Sequence, residues 1–429
     1  MSLLPDVCVA VILAVVIFSR RRKGGTKTLA WGVAWLFIGW VAVASVPSIA
    51  AMPEQAVYGL RAMLWGLVIA MTMQTMDLSE WSRNFIRRVL LFVLLANMLL
   101  ALFQAVVGLS AVELQGLMEA GASYQVESQT RLLGFQATGQ ELSMLAGSAF
   151  VWSCATMVSR GFRLAGPLIW FLCLTSAVVT LVVLQRSALI GALVAMAILV
   201  FSINSGSLRG RRAAATRRFG AVAGASMLSI VALAVLAPER VDLALARFQS
   251  LFGLSSDYSF NVRQDTTLPV ALKLIAEQPL GYGLGASGPV AAKFVPSGPL
   301  ADYPLGGIAA DNGYLFVALQ IGVPGLVLFF LLLVTWGFSG TFFDTVPHER
   351  LAPRSVICFL AAIMVSGSFW GLTGSMALVV ALASIGGGAA TNRGALNNGP
   401  APAPDLLRSA ANPNFVHLAQ KHRRPSSSD

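Results

Sequence analysis

Eleven apolar stretches, almost free of acidic residues, govern what this chain can become. They run roughly over 5–19, 29–46, 57–76, 89–109, 141–159, 165–184, 187–203, 219–237, 312–336, 355–370 and 373–387. A helix needs about 20 residues to cross the hydrocarbon of a bilayer. None of these stretches holds an interior carboxylate, and Arg61 is the one clear cation inside any of them. Only 11% of the 429 residues are charged and 56% are hydrophobic, against about 25% charged in soluble domains. A soluble enzyme, a disordered chain and a small disulfide scaffold are thereby excluded. The sequence predicts an all-α polytopic integral membrane protein with about 11 transmembrane helices.

The net charge of +11 would suggest nucleic acid if its distribution were ignored. Short connections rich in Lys and Arg stay on the cytoplasmic side of a membrane. Such connections, beginning with Ser19–Lys27, recur at every second crossing. With the C-terminal tail they hold 22 of the 30 cations and 6 of the 19 acids. The opposite side has 7 cations and 13 acids. The basic balance therefore orients the chain in the membrane, and no nucleic-acid partner is expected. The N-terminus is predicted to face the periplasm and the C-terminus the cytoplasm of a bacterial inner membrane. The first stretch is read as a retained helix, because its cations follow the apolar run and no small-residue cleavage site comes after it.

This pattern divides the chain into N-terminal transmembrane helices (1–110), a first periplasmic loop (111–140), central transmembrane helices (141–237), a large periplasmic loop (238–310), C-terminal transmembrane helices (311–388) and a disordered cytoplasmic tail (389–429). The tail is rich in Pro, Asn and Ser. All four cysteines fall within apolar stretches, so packing is expected of them and neither a disulfide nor a metal site.

Both long loops are expected to carry amphipathic helices. In "APERVDLALARFQSLFG", Val241, Leu245, Phe248 and Phe252 recur at 4, 3 and 4, the stripe of a helix lying along a membrane surface. Farther on, Asn261 can cap a helix whose first turn includes Arg263. Pro279, Gly281, Gly283 and Gly285 then end the segment in turns. The G-x-G-x-G spacing with no preceding strand is not a dinucleotide fingerprint.

Cations on the outer side are few. Arg186 lies in "VVLQRSALIG", where one span ends and the next begins after almost no loop. A guanidinium held there can bind a pyrophosphate by bidentate charge-assisted bonds, or it can serve as an interface anchor that reaches lipid phosphate. The three histidines, His348, His417 and His422, all map to the cytoplasmic side. A Ser–His triad or a histidine metal site on the outer face is therefore excluded by that topology. The remaining proton acceptor is a carboxylate. Asp311, in "AADNGYLF" immediately before a long span, is the candidate general base, since partial burial raises a carboxyl's pKa. The competing reading makes Asp311 a helix N-cap, with Asn312 and Gly313 helping the turn.

"QTRLLGFQATGQE", "LQRSALIGA", "VRQDTTLPVALKLIAEQPLGYGLG" and "DNGYLFVALQIGVPG" occur in that order over about 125–335. Together they resemble the O-antigen ligase / Wzy-type polysaccharide polymerase superfamily. The resemblance implies an all-helical integral glycosyltransferase that takes glycan from an undecaprenyl-pyrophosphate carrier, with no metal and no cofactor. It places Arg186 and Arg263 in the catalytic set as pyrophosphate contacts, together with Asp311. It also places Arg131, Gly134, Asn312, Gly281 and Gly283 among the substrate-binding positions. Asp311 stands where ligases carry a histidine, and Gln185 replaces the serine that usually precedes the hairpin arginine. The first departure fits polymerases of the exopolysaccharide type better than ligases.

The leading expectation is thus a polymerase joining lipid-linked repeat units into exopolysaccharide or O-antigen. A ligase that moves finished glycan onto lipid A core is the close alternative. A secondary transporter is the distant one, since transporters place ionisable groups near the midplane, often in repeated halves. Expected partners are the lipid-linked oligosaccharide and membrane lipids, with a chain-length regulator and a flippase as candidate protein partners.

Overall fold

The computed structural model describes residues 29–75, 80–119, 125–126, 129–130, 132–136, 138–160, 166–183, 185–204, 212–249, 261, 263–291, 300, 312–338, 351–365, 367 and 373–385. The predicted first span over 5–19 and the tail after 388 lie outside these residues.

The described chain is a helical bundle. Its helices are α1 (Leu29–Ala51), α2 (Pro53–Thr75), α3 (Glu80–Val107), α4 (Ala111–Glu119), α5 (Gly139–Arg160), α6 (Pro167–Val182), α7 (Arg186–Asn204), α8 (Arg212–Leu236), α9 (Pro238–Gln249), α10 (Leu268–Glu277), α11 (Gly288–Ala291), α12 (Gly313–Phe338), α13 (Leu351–Ile363) and α14 (Thr373–Ile385). A two-residue antiparallel pair, β1 (Gln125–Val126) with β2 (Gln129–Thr130), is the one strand pairing among the described residues. Ten of the eleven predicted stretches fall on helices. Five helices are long and apolar enough to cross a membrane: α1, α2, α3, α5 and α12. α6, α7, α8 and α13 supply shorter apolar segments.

α5 is the most enclosed of these spans, with 94% of its apolar window buried. It packs against α6, α7, α13 and α14. Its sequence explains the fit, because small residues let helices approach closely where lipid offers no hydrophobic drive. A side chain at Gly147 would run into the ring of Phe359 on α13. Gly191 of α7 takes the same ring and Ile363 from the other side. Phe359 is itself fully buried, so it fills the space that two glycines leave.

α9 confirms an amphipathic helix at the start of loop two, but its buried stripe differs from the expected one. Val241 and Ala244 face inward, while Leu245 is 48% exposed. Ala244 packs with Leu181 and Leu243, and the small side chain brings α9 close to the end of α6. Phe252 lies outside the described residues.

Candidate functional site

Several interlocking contacts gather the described candidate residues at one end of the bundle. The α1–α2 turn, the start of α7, the start of α12 and the end of α13 all lie there. Asn312 caps α12: its Oδ1 accepts the N–H groups of Tyr314 at 2.9 Å and Leu315 at 3.2 Å. Its Nδ2 donates to Val365 O, just past α13, at 2.9 Å. The Gly313 N–H donates to Met364 O at 2.7 Å, and the Tyr314 hydroxyl to Ala361 O at 2.8 Å. Asn312, expected to help the turn, thus acts as a cap of α12. Asp311 itself lies outside the described residues, as does Arg131.

Arg186 is the first residue of α7, partly buried, after a turn that separates it from α6 by three residues. The Ala188 N–H donates to Gln185 O at 3.1 Å, and Gln185 Nε2 donates to Ser187 Oγ at 3.1 Å. Gln185, where the family pattern has serine, thus helps to start the helix. Gly191, farther along α7, rests on Ile363, so Arg186 shares its end of the bundle with Asn312 and Val365.

Arg263 opens a π-helical turn, Arg263–Thr267, that runs directly into α10. Pro269 explains the widening. It has no N–H to give to the carbonyl of Asp265, and its ring crowds that carbonyl in α geometry. The expected helix at this position is present, with a wide first turn. α10 then packs on α12.

The glycine segment after α10 has an unexpected partner, a break in α12. Gly322 has φ +74°, and Pro324 follows inside the helix. Pro324 has no N–H, and the Val323 N–H turns outward to Pro279 O at 2.8 Å. The carbonyls of Leu319 and Gln320 thereby lose their intrahelical partners. Tyr282 N–H donates to the first at 2.7 Å and Gly283 N–H to the second at 3.0 Å. A side chain on Gly281 would stand 2.6 Å from both Gln320 O and Gly322 N. These glycines are required for close approach of two backbones, and the Gly283 N–H is used in the joint.

Side chains lock the same joint. Gln320, fully buried, accepts the Gly285 N–H at 2.9 Å and donates to Ser287 O at 3.2 Å. Gln55 donates to Gly285 O at 2.8 Å, Ser48 Oγ accepts the Leu284 N–H at 2.9 Å, and Trp40 Nε1 donates to Ile321 O at 2.7 Å. An open groove of about 470 Å³ runs beside the joint. Trp40, Pro47 and Met52 line one side and Leu280, Gly281 and Gly283 the other.

Gly134 is held in a parallel way. It has φ +59°, and its N–H donates to Gln104 Oε1 at 2.8 Å. Asn97 Oδ1 accepts the Phe135 N–H at 3.1 Å. Asn97 and Gln104 are both about 1% exposed. Gln104 also donates to Glu113 at 2.6 Å. Glu113 closes a capping box with Ser110 at the start of α4, accepting the Ser110 N–H and hydroxyl at 2.7 Å each. These bonds, the Ser110 hydroxyl's first, hold the Glu113 carboxyl below its ordinary value. On α9, burial pulls the Arg240 guanidinium down, partly offset by Glu239.

Residues 171–330 match the family model described as O-Antigen ligase. That stretch runs from α6 into α12 and takes in Arg186, Arg263 and the whole glycine segment. The match supports the O-antigen ligase/Wzy-type superfamily that the ordered motifs resemble. No curated protein matches the chain. The O-antigen ligase match and the apolar helices together support a membrane protein with ligase- or polymerase-type action on glycans. Among the described residues no cluster of His, Cys, Asp and Glu could hold a metal ion. Gln55, Asn97, Gln104 and Gln320 were missed by a reading that scanned the spans for charge. Their signal was an uncharged amide inside an apolar helix, costly unless bonded.

Proposed function

We propose that the protein is a polymerase that transfers glycan from an undecaprenyl-pyrophosphate carrier to a second lipid-linked repeat unit, on the outer face of a bacterial inner membrane. The observation that carries this reading is the O-antigen ligase match over the stretch holding Arg186 and Arg263. Asp311 in the position of the ligase histidine favours polymerase over ligase. In the proposed step an acceptor hydroxyl oxygen attacks the anomeric carbon and forms the new glycosidic bond. The bond from that carbon to the pyrophosphate oxygen breaks, and the carrier pyrophosphate leaves with the electron pair. Asp311 takes the hydroxyl proton. Arg186 and Arg263 hold the pyrophosphate and stabilise the charge it gains. Direct attack inverts the anomeric centre.

The test uses purified protein with lipid-linked repeat units. A ladder of lengthening lipid-linked glycan is expected, and transfer only to lipid A core would establish the ligase alternative. Asp311→Asn is expected to slow transfer by roughly 10²–10⁴-fold with donor binding intact. Because Asn312 already caps α12, near-normal turnover of Asp311→Asn would remove the base from the scheme. Arg186→Lys and Arg263→Lys should each be severely impaired, since lysine lacks the planar fork.

A further inference from the structure

Arg61 lies in α2, in a segment long and apolar enough to cross a membrane. It is eight residues past Pro53, so about 12 Å below the turn that joins α1 to α2. A guanidinium is a permanent cation with five N–H donors, and ionisable groups within spans normally face a partner. Arg61 has none among the described residues. Its Nε is shielded from solvent with no hydrogen-bond acceptor. The ring of Trp65 lies one turn along the same helix, with the guanidinium carbon 5.6 Å from the ring centroid. A ring at that distance attracts the cation and restrains it.

The neighbouring faces of α2 show what this position serves. Gln55 bonds the backbone of Gly285, and a side chain on Gly59 would collide with the same residue. The first turns of α2 are thus the platform on which the glycine segment rests. Arg61 is two residues, about 200° of helix rotation, beyond Gly59. It therefore occupies the opposite flank, with Glu54 and the 39% exposed Val57. Leu64 and Val68 beside it are buried, while Val57, Tyr58, Trp65 and Ile69 leave a partly open strip along the helix. An anion that reaches Arg61 along this strip must tolerate an apolar setting. The group that fits is a phosphate carried on a lipid.

We propose that Arg61, braced by Trp65, is a binding site for the phosphate of a lipid entering from the membrane. Under the function proposed above, on which this identification of the lipid rests, it receives the pyrophosphate of the prenyl-linked donor. A planar guanidinium can grip two phosphate oxygens at once. The site differs from Arg186 and Arg263, which lie at the loop end of the bundle.

The measurement is retention of radiolabelled farnesyl pyrophosphate by the full chain in phosphatidylcholine nanodiscs. Because Arg186 and Arg263 would also hold this probe, it is made in the native chain and with both changed to Gln. In the doubly changed background Arg61→Gln is expected to lower retention at least tenfold, with Arg61→Lys and Trp65→Leu intermediate. Equal retention by Arg61→Gln and its parent, both eluting as single folded species, would overturn the proposal. Unlabelled phosphatidylglycerol separates the two sources of lipid phosphate. Displacement as effective as that by farnesyl pyrophosphate makes the bulk leaflet the source, and weak displacement makes it the donor; both support a lipid-phosphate site. Absence of glycan transfer by the native chain would sink the function proposed above and leave the binding result standing.

Discussion

The two loop segments are fastened to the bundle by different means. Around Gly134 an unbroken helix, α3, offers side-chain amides, and Asn97 and Gln104 take up the loop's N–H groups. Around Gly281–Ser287 the helix itself opens. The carbonyls of Leu319 and Gln320, released by Gly322 and Pro324, receive the loop backbone directly. A side-chain fastening can be loosened one residue at a time, whereas a backbone joint fails when its geometry fails. The second kind also carries Arg263 through α10, so its rigidity matters more for the proposed site.

The largest effect expected from this contrast is at Gly281. Gly281→Val needs φ +93° from a β-branched residue and drives its Cβ into Gln320 O and Gly322 N. Strain and collision together should cost about 3 kcal/mol or more. Limited proteolysis should show loop two cut rapidly and the segment around Gly134 still protected. If both segments were cut at equal rates, the joints would not be separate. Gln320→Leu comes next. It strands the Gly285 N–H and the Ser287 carbonyl in a buried place, for about 2–3 kcal/mol, read as a lower melting temperature.

Gln104→Leu should cost somewhat less, about 1–2 kcal/mol, because its partner Glu113 is only partly buried and keeps its bonds to Ser110. Combined with Gln320→Leu its effect should simply add, as it does for sites without shared partners. A clear departure from additivity would mean that the two fastenings are coupled.

The smallest effect is set by pH. Glu113 has a folded value below its ordinary 4.5, so its stabilising contribution is full above that value. It is lost as pH falls through 4.5 and then through the lower folded value. Hydrogen exchange at α4 should therefore quicken on acidification across that window. Glu113→Gln should flatten the dependence, and exchange at α10 should follow neither change.

Helix positions were legible because lipid forces every backbone group to pair within its own segment, which leaves a plain apolar run in the sequence. Span lengths were less so: α13 has 13 residues where 355–370 was expected, because its end is turned at Met364–Val365 to meet Asn312 and Gly313. The glycines read correctly as turns. Their partner was hidden, since the acceptors at Leu319 and Gln320 exist only because Gly322 and Pro324 break a helix that composition alone would draw as continuous. Asn312 was named for the substrate and is found capping α12. That dual reading is intrinsic to a polar residue at a helix start.

The break in α12 also imposes a sequence of events during synthesis. The glycine segment leaves the ribosome well before Leu319 and Gln320 do, and long after Ser48 and Gln55. At about 5–20 residues per second it waits for seconds before the N–H groups of Tyr282, Gly283 and Gly285 meet their acceptors. Only when α12 has been threaded into the membrane and has bent at Gly322 do the waiting groups find acceptors. Insertion of that one helix is therefore the step that turns a dangling segment into a fixed wall, and assembly of that end of the bundle is timed by it.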